Sequence, residues 1–231
     1  MHPYIFKMAE TTNIENNKDI LEKVQNYFKE NRKSLSIIGS AIVILVVGYF
    51  LYNKFYKEKR EKKATEMMWK AEYFFEKDSF QRAIDGTPLN PGFKKIAKDY
   101  SGTSGGNMAT YCLGICYLNT GKFKEAVKAL EECSFDDDIL SAVAIGALGD
   151  AYRELNKLDE ALEKYEEAAN RVENQFTTPI YLKKAAFVYE EKKNFKKAAE
   201  LYERIQHDYE HTVEGSDVEK FLARARILSE K

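Results

Sequence analysis

ATYCLGICYLNTGKFKEAVKALEEC (residues 109–133), VAIGALGDAYRELNKLDEALEKYEEA (143–168) and IYLKKAAFVYEEKKNFKKAAELYERI (180–205) are three versions of one pattern. Each carries an aromatic residue at the same place: Tyr117, Tyr152 and Tyr189. Nine positions later each carries a small one: Ala126, Ala161 and Ala198. A Leu-Gly pair precedes the tyrosine in the first two, as Leu113-Gly114 and Leu148-Gly149, and becomes Ala185-Ala186 in the third. Apolar residues recur at helical spacing on both sides of a polar turn, so each stretch predicts two helices packed as a hairpin. The glycines and alanines let the two helices approach closely, and the tyrosines fill the space beside them. Gly121-Lys122, Asn156-Lys157 and Lys193-Asn194 suit the corner between the helices.

The repeats stand 35 and 37 residues apart, close to the ~34 of a tetratricopeptide repeat. The fold class expected is therefore all-α: a tetratricopeptide-repeat α-solenoid over 67–231. Working outward, 67–107 reads as a degenerate repeat, with Phe74 and Ala83 in the aromatic and small positions. Repeats follow at 108–141, 142–178 and 179–212, and 214–229 reads as the capping helix that a solenoid needs. Its apolar stripe is Val218, Phe221, Leu222, Ala225 and Leu228. Thr178-Pro179 predicts an N-cap followed by proline at the first helical position. Asp136 to Asp138 place negative charge at a helix start.

Before the repeats, SLSIIGSAIVILVVGYFLYN (34–53) contains no charged residue. Twenty residues at ~1.5 Å each span roughly 30 Å as a helix, the thickness of a bilayer core. This segment predicts a transmembrane helix, retained rather than cleaved, because KFYKEKREKK follows it in place of a small-residue cleavage site. Residues 1–33 form an N-terminal tail with a short amphipathic helix, in which Met8 is a second candidate start. Residues 54–66 form a basic juxtamembrane stalk. Four basic residues precede the span (Lys23, Lys29, Arg32, Lys33) and six follow it (Lys54, Lys57, Lys59, Arg60, Lys62, Lys63). By the positive-inside rule that count alone places the repeats in the cytoplasm.

Composition narrows the function. The chain holds 36 basic and 37 acidic residues, which disfavours bulk attraction to nucleic acid. Cys112, Cys116 and Cys133 are an odd number, read as small buried side chains rather than a disulfide framework. Two motifs mimic catalytic signatures. Gly102-Thr-Ser104-Gly-Gly106 fits G-x-S-x-G, but the hydrolase elbow needs a preceding strand and GFKKIAKDY is helical. His207-Asp-Tyr-Glu210-His211 fits H-x-x-E-H, but a third ligand in a cleft is wanting. A serine hydrolase using Ser104 with His207 or His211 remains the remote alternative; no cofactor or metal is expected.

A binding role fits the repeats better. The first helix of each repeat lines the inner face of such a solenoid. The candidate protein-binding residues are Tyr111, Ile115 and Leu118, then Asp150 and Arg153, then Lys183, Phe187 and Glu190, with Met108 and Gly146 alongside. Their mixture of apolar and charged groups suits protein surface or extended chain.

The segment ENRKSLSIIGSAIVILVVGYFLYNKFY (30–56), a degenerate repeat and three full ones together resemble the YfgM-like ancillary subunits of the bacterial Sec translocon. GNMATYCLGICYLNTGKF and NQFTTPIYL are similar to tetratricopeptide proteins common in Bacteroidota. The resemblance implies an inner-membrane anchor, a periplasmic repeat domain, and a scaffold acting beside the SecYEG channel with a membrane-tethered periplasmic chaperone. The competing expectation is a cytoplasm-facing membrane adaptor for an envelope or division complex.

Overall fold

The computed structural model describes residues 23, 25–27 and 29–230 and divides into two compact units, Met1–Glu58 and Lys59–Lys231. The Met8 start and most of the expected amphipathic helix within 1–33 lie outside the described residues. In the first unit, α1 (Arg32–Leu51) buries no residue. It is long and apolar enough to cross a membrane. A π-helical stretch, Tyr52–Lys57, follows it.

The second unit is a stack of helices, with no strand among the described residues beyond an isolated bridge between Gly86 and Pro91. In order they are α2 (Glu58–Glu76), α3 (Phe80–Asp85), α4 (Phe93–Asp99), α5 (Ser104–Asn119), α6 (Phe123–Glu131), α7 (Asp138–Glu154), α8 (Leu158–Asn170), α9 (Thr178–Glu191), α10 (Phe195–Asp208), α11 (Val213–Asp217) and α12 (Glu219–Ser229). Ala126, Ala161 and Ala198 are fully buried, as is Ala83 in the degenerate repeat. A Cβ on Gly114 would lie 2.7 Å from Leu130, and one on Gly149 would lie 2.7 Å from Tyr165, so each hairpin closes on its glycine. The core runs along the stack as three clusters of buried side chains. One joins α2 to α5, one joins α6 to α7, and the largest runs from α7 to α12. Each repeat thus covers its neighbour's apolar face, the arrangement that holds solenoids together.

Four hairpin corners share one geometry. The residue after the C-cap adopts positive φ: Asp78 (53°), Gly121 (71°), Asn156 (57°) and Lys193 (58°). The amide beyond it donates to the carbonyl of the aromatic at the shared register: Ser79 to Phe74 (2.9 Å), Lys122 to Tyr117 (2.9 Å), Lys157 to Tyr152 (2.9 Å) and Asn194 to Tyr189 (2.8 Å). These are Schellman turns, and the aromatic marks the helix end because its carbonyl closes them. Only Gly121 holds that conformation freely. A left-handed lysine costs about 1–2 kcal/mol, against roughly 0.5–1 kcal/mol of extra chain entropy for glycine. Lys193→Gly is therefore expected to stabilise the unit by about 0.5–1 kcal/mol, measured as a rise in urea midpoint at unchanged slope.

Several boundaries differ from expectation. Helix α9 begins at Thr178 itself, with Thr177 as its N-cap and Pro179 in the second position. Asn174 Oδ1 accepts from the amides of Phe176 (2.7 Å) and Thr177 (2.8 Å), so the asparagine turn shapes the entry and frees Thr178 to bond backwards. The cap is two helices, broken at Val218. The basic stretch 54–66 continues the helix, and part of it packs on the domain: Ala64 is fully buried and Arg60 donates to the Asp99 carbonyl at 2.7 Å. At the α7 start, Asp137 is the N-cap and accepts from the Leu140 amide at 2.8 Å.

Candidate functional site

Helices α5 and α7 present a groove of about 500 Å³ whose lining includes Ile115, Leu118, Asn119, Asp150, Arg153 and Glu154, with Phe123 and Tyr165 from the following helices. The first wall is apolar because Ile115 and Leu118 lie half-buried over the cluster formed by Leu130, Leu148 and Ala151. Tyr111 joins them, edge-on to Phe135 at 5.9 Å.

The second wall is charged. Asp150 accepts from the Tyr165 hydroxyl at 2.7 Å and from Lys184 Nζ at 2.6 Å. Tyr165 is almost fully buried, and that burial, followed by the charge of Asp150, drives its phenol pKa upward. Lys184 lies over the Tyr165 and Tyr181 rings at 5.6 and 5.8 Å. Arg153 pairs with Glu191 of the next repeat. Both members are more than a third exposed, so the pair contributes little to stability and can be exchanged for an incoming carboxylate. Gly146 lies beneath Tyr181, whose Cε1 stands 1.9 Å from where a Cβ would be. It is packing space rather than a binding residue.

The third set of candidates is not open. Phe187 packs against Phe221 of α12 at 5.2 Å, Glu190 pairs with Arg224, and Lys183 lies over the Phe221 ring at 5.3 Å with Asp217 3.9 Å away. The cap folds back over the face that the first two repeats expose. Sequence reasoning missed Lys184, Glu191 and Tyr165. Lys184 is a lysine at the register of buried Ala147, and that mismatch was the signal for it.

The two motifs with catalytic outlines turn out to be one structural device used twice. Asp99-Tyr100-x-x-Thr103-x-x-Gly106 and Asp208-Tyr209-x-x-Thr212-x-x-Gly215 have the same spacing. In each, the threonine hydroxyl donates to the tyrosine carbonyl (2.6 and 2.7 Å) and accepts from the glycine amide (2.9 and 3.0 Å). Thr103 and Thr212 are thereby the N-caps of α5 and α11. Ser104 opens α5, and its amide, with that of Gly105, is held by the Glu61 carboxylate at 2.9 and 3.0 Å. It follows helix α4, not a strand. His207 and His211 each pair with their own neighbour, Asp208 and Glu210, in the open. Among the described residues no three metal-ligating side chains gather.

A larger hollow, of about 880 Å³, lies between α4, the α5 start and the 134–140 loop. Asn107 spans it, bonding the Ser134 carbonyl and amide at 2.6 and 3.1 Å, so its polar groups tie down the loop.

Tetratricopeptide repeat family models match residues 111–134 and 144–179. No curated protein matches the chain. Among solved structures, the nearly identical tetratricopeptide-like repeats of a kinesin light chain from Podosopora anserina are similar, with a TM-score of 0.57 at 18% identity, covering 74% of this chain and 87% of that one. MamA protein is similar with a TM-score of 0.55 at 20% identity, covering 72% of this chain and 84% of that one. At such identities the likeness shows the fold.

Proposed function

We propose that the chain is a membrane-anchored, non-enzymatic scaffold that holds an extended segment of another protein in the α5–α7 groove. The observation that carries this reading is the groove itself. An apolar wall at Ile115 and Leu118 faces a polar one at Asp150 and Arg153, so alternate side chains of an extended ligand meet suitable partners on either side. The matched repeats support a protein partner. Ile115→Glu with Leu118→Glu places two charges on the apolar wall. Affinity purification from solubilised membranes, wild type against this double variant, tests the groove: proteins retained equally by both do not use it, and if all are, the reading fails.

The anchor rests on α1 and the π-helical turn that continues it, together long and apolar enough for 34–53 to span a bilayer. The Sec translocon and a membrane-tethered periplasmic chaperone are the partners that the sequence resemblance proposes, with the repeats in the periplasm. Co-purification without any translocon component would sink that assignment. The second reading, a cytoplasm-facing adaptor, draws on the six basic residues after the span. Alkaline phosphatase fused to the C-terminus separates the two: activity is expected for a periplasmic domain and its absence for a cytoplasmic one.

A further inference from the structure

The connections α4–α5, α6–α7, α8–α9 and α10–α11 lie side by side along one edge of the stack. Each touches the next: Asn107 bonds the Ser134 carbonyl, Arg171 pairs with Asp138 at 3.2 Å, and Gln175 donates to the Asp208 carbonyl at 3.4 Å. One position on this edge recurs. Ser104 and Val213 each follow the threonine of the shared corner. Ile139 stands 35 residues after Ser104, and Phe176 and Val213 follow at steps of 37, the spacings of the register tyrosines. Ser104 shows that the fold accepts a polar side chain there. The later three are large and apolar, yet 46%, 73% and 78% exposed at Ile139, Phe176 and Val213. Contiguous exposed apolar side chains with a polar rim mark an interaction surface.

The rim has one sign. Three residues before the apolar positions stand Asp136, Glu173 and Glu210. Between the last two connections, Phe176, Ile180 and Val213 share a hollow of about 770 Å³ with Asp208, Glu210 and Glu214. Its lining includes no lysine or arginine among the described residues. His207 and His211 sit at its rim, each beside a neighbouring carboxylate. Arg204 of α10 is turned to Glu173 at 2.9 Å, with Asp208 3.8 Å away.

We propose that this edge is a second protein-docking surface, and that its occupant is a basic amphipathic segment of another protein. Apolar side chains of that segment enter the hollow against Phe176, Ile180 and Val213, and its lysines or arginines meet Asp208, Glu210 and Glu214. Charge decides among the possible occupants. A nucleic acid and an anionic bilayer surface are both repelled by a rim of this sign. A second copy would bring the same carboxylates to this edge. The inference is independent of the α5–α7 groove.

Peptide titration of the full chain in phosphatidylcholine nanodiscs tests it, with empty nanodiscs as the blank. The probes are a fluorescent peptide of leucine and lysine at helical period and its leucine–glutamate counterpart, read by anisotropy at pH 8, above the ordinary histidine range. The leucine–lysine peptide is expected to bind at chain concentrations up to about 100 µM, and the leucine–glutamate peptide is not. Phe176→Ser with Val213→Ser is expected to weaken binding about tenfold at unchanged melting temperature, since both side chains are exposed. Asp208→Asn with Glu210→Gln and Glu214→Gln is expected to weaken it as much and to remove most of its salt dependence. Ile115→Ser with Leu118→Ser, in the groove, is expected to leave it unchanged. No binding, equal binding of the two peptides, or binding that survives both edge variants overturns the proposal. So does binding that the groove variant abolishes, which would seat the peptide there instead.

Discussion

Gly106→Ala is expected to destabilise the repeat unit by about 3 kcal/mol, lowering its melting temperature by roughly 10 °C. Propensity argues the other way, since alanine gains about 1 kcal/mol over glycine inside a helix. The geometry decides. A Cβ at Gly106 would stand 2.0 Å from the Tyr100 carbonyl oxygen, which is backbone and already accepts the Thr103 hydroxyl. To admit the methyl group the corner must open, and the Thr103 cap, worth about 1 kcal/mol, opens with it. Gly215→Ala, 2.0 Å from the Tyr209 carbonyl oxygen, should repeat the loss in the cap. Gly102 is the control: it has positive φ but open space, so alanine there should cost only about 1 kcal/mol. Thermal melts of the three variants check this, and a Gly106→Ala protein as stable as wild type would refute the corner as described.

The second large effect is alkaline unfolding. Burial pushes the thiols of Cys112, Cys116 and Cys133 from the ordinary value near 9 up to about 12, and the phenol of Tyr111 up to about 12. Burial drives Tyr181 upward as well. Each group keeps its proton in the folded state after the unfolded chain has lost it. The unfolded state therefore binds fewer protons above pH 9, and stability falls as pH rises. Below the ordinary values the contribution is complete, so these groups add no pH dependence at neutrality. Each loses about 1.4 kcal/mol per pH unit, so three thiols together lose about 4 kcal/mol per unit. A domain of ordinary stability is then expected to unfold by about pH 11. Urea midpoints from pH 7 to 11 measure it. Replacing all three cysteines by alanine should move the onset up by about one unit, toward the tyrosines; an unmoved onset would show that the thiols do not carry it.

The fold was legible because its signals are local and periodic. Tyr117, Tyr152 and Tyr189 close identical corners, and the buried alanines follow at fixed distance because the helices must touch there. The groove was legible only in its first two repeats. Lys183, Phe187 and Glu190 occupy equivalent positions in the third, but α12 returns over them, and register within one repeat carries no trace of that return. Lys184 carries no such periodic signal, because its register is a core position elsewhere. The two catalytic outlines arise for a physical reason. A tight corner needs glycine, threonine or serine and a polar helix end, the same residue types from which active-site signatures are composed. Comparing the two stretches with each other, rather than each with an enzyme motif, reveals their shared tyrosine, threonine and glycine.

Gly146 beneath Tyr181 carries one more implication. By repeat register the matching pair across the preceding junction is Tyr111 and Ala144, with large and small exchanged. The junctions are thus keyed with opposite polarity, and the modules have a compulsory order. Moving the third repeat to directly follow the first would set Tyr181 against Tyr111, two rings in space for one. Duplicating the whole 109–179 block preserves no such collision within itself, but its new seam would bring Ala109 to Gly146 and leave a hole. The chain can grow or shuffle only by changing both sides of a junction together, so its length is guarded by shape as well as by its caps.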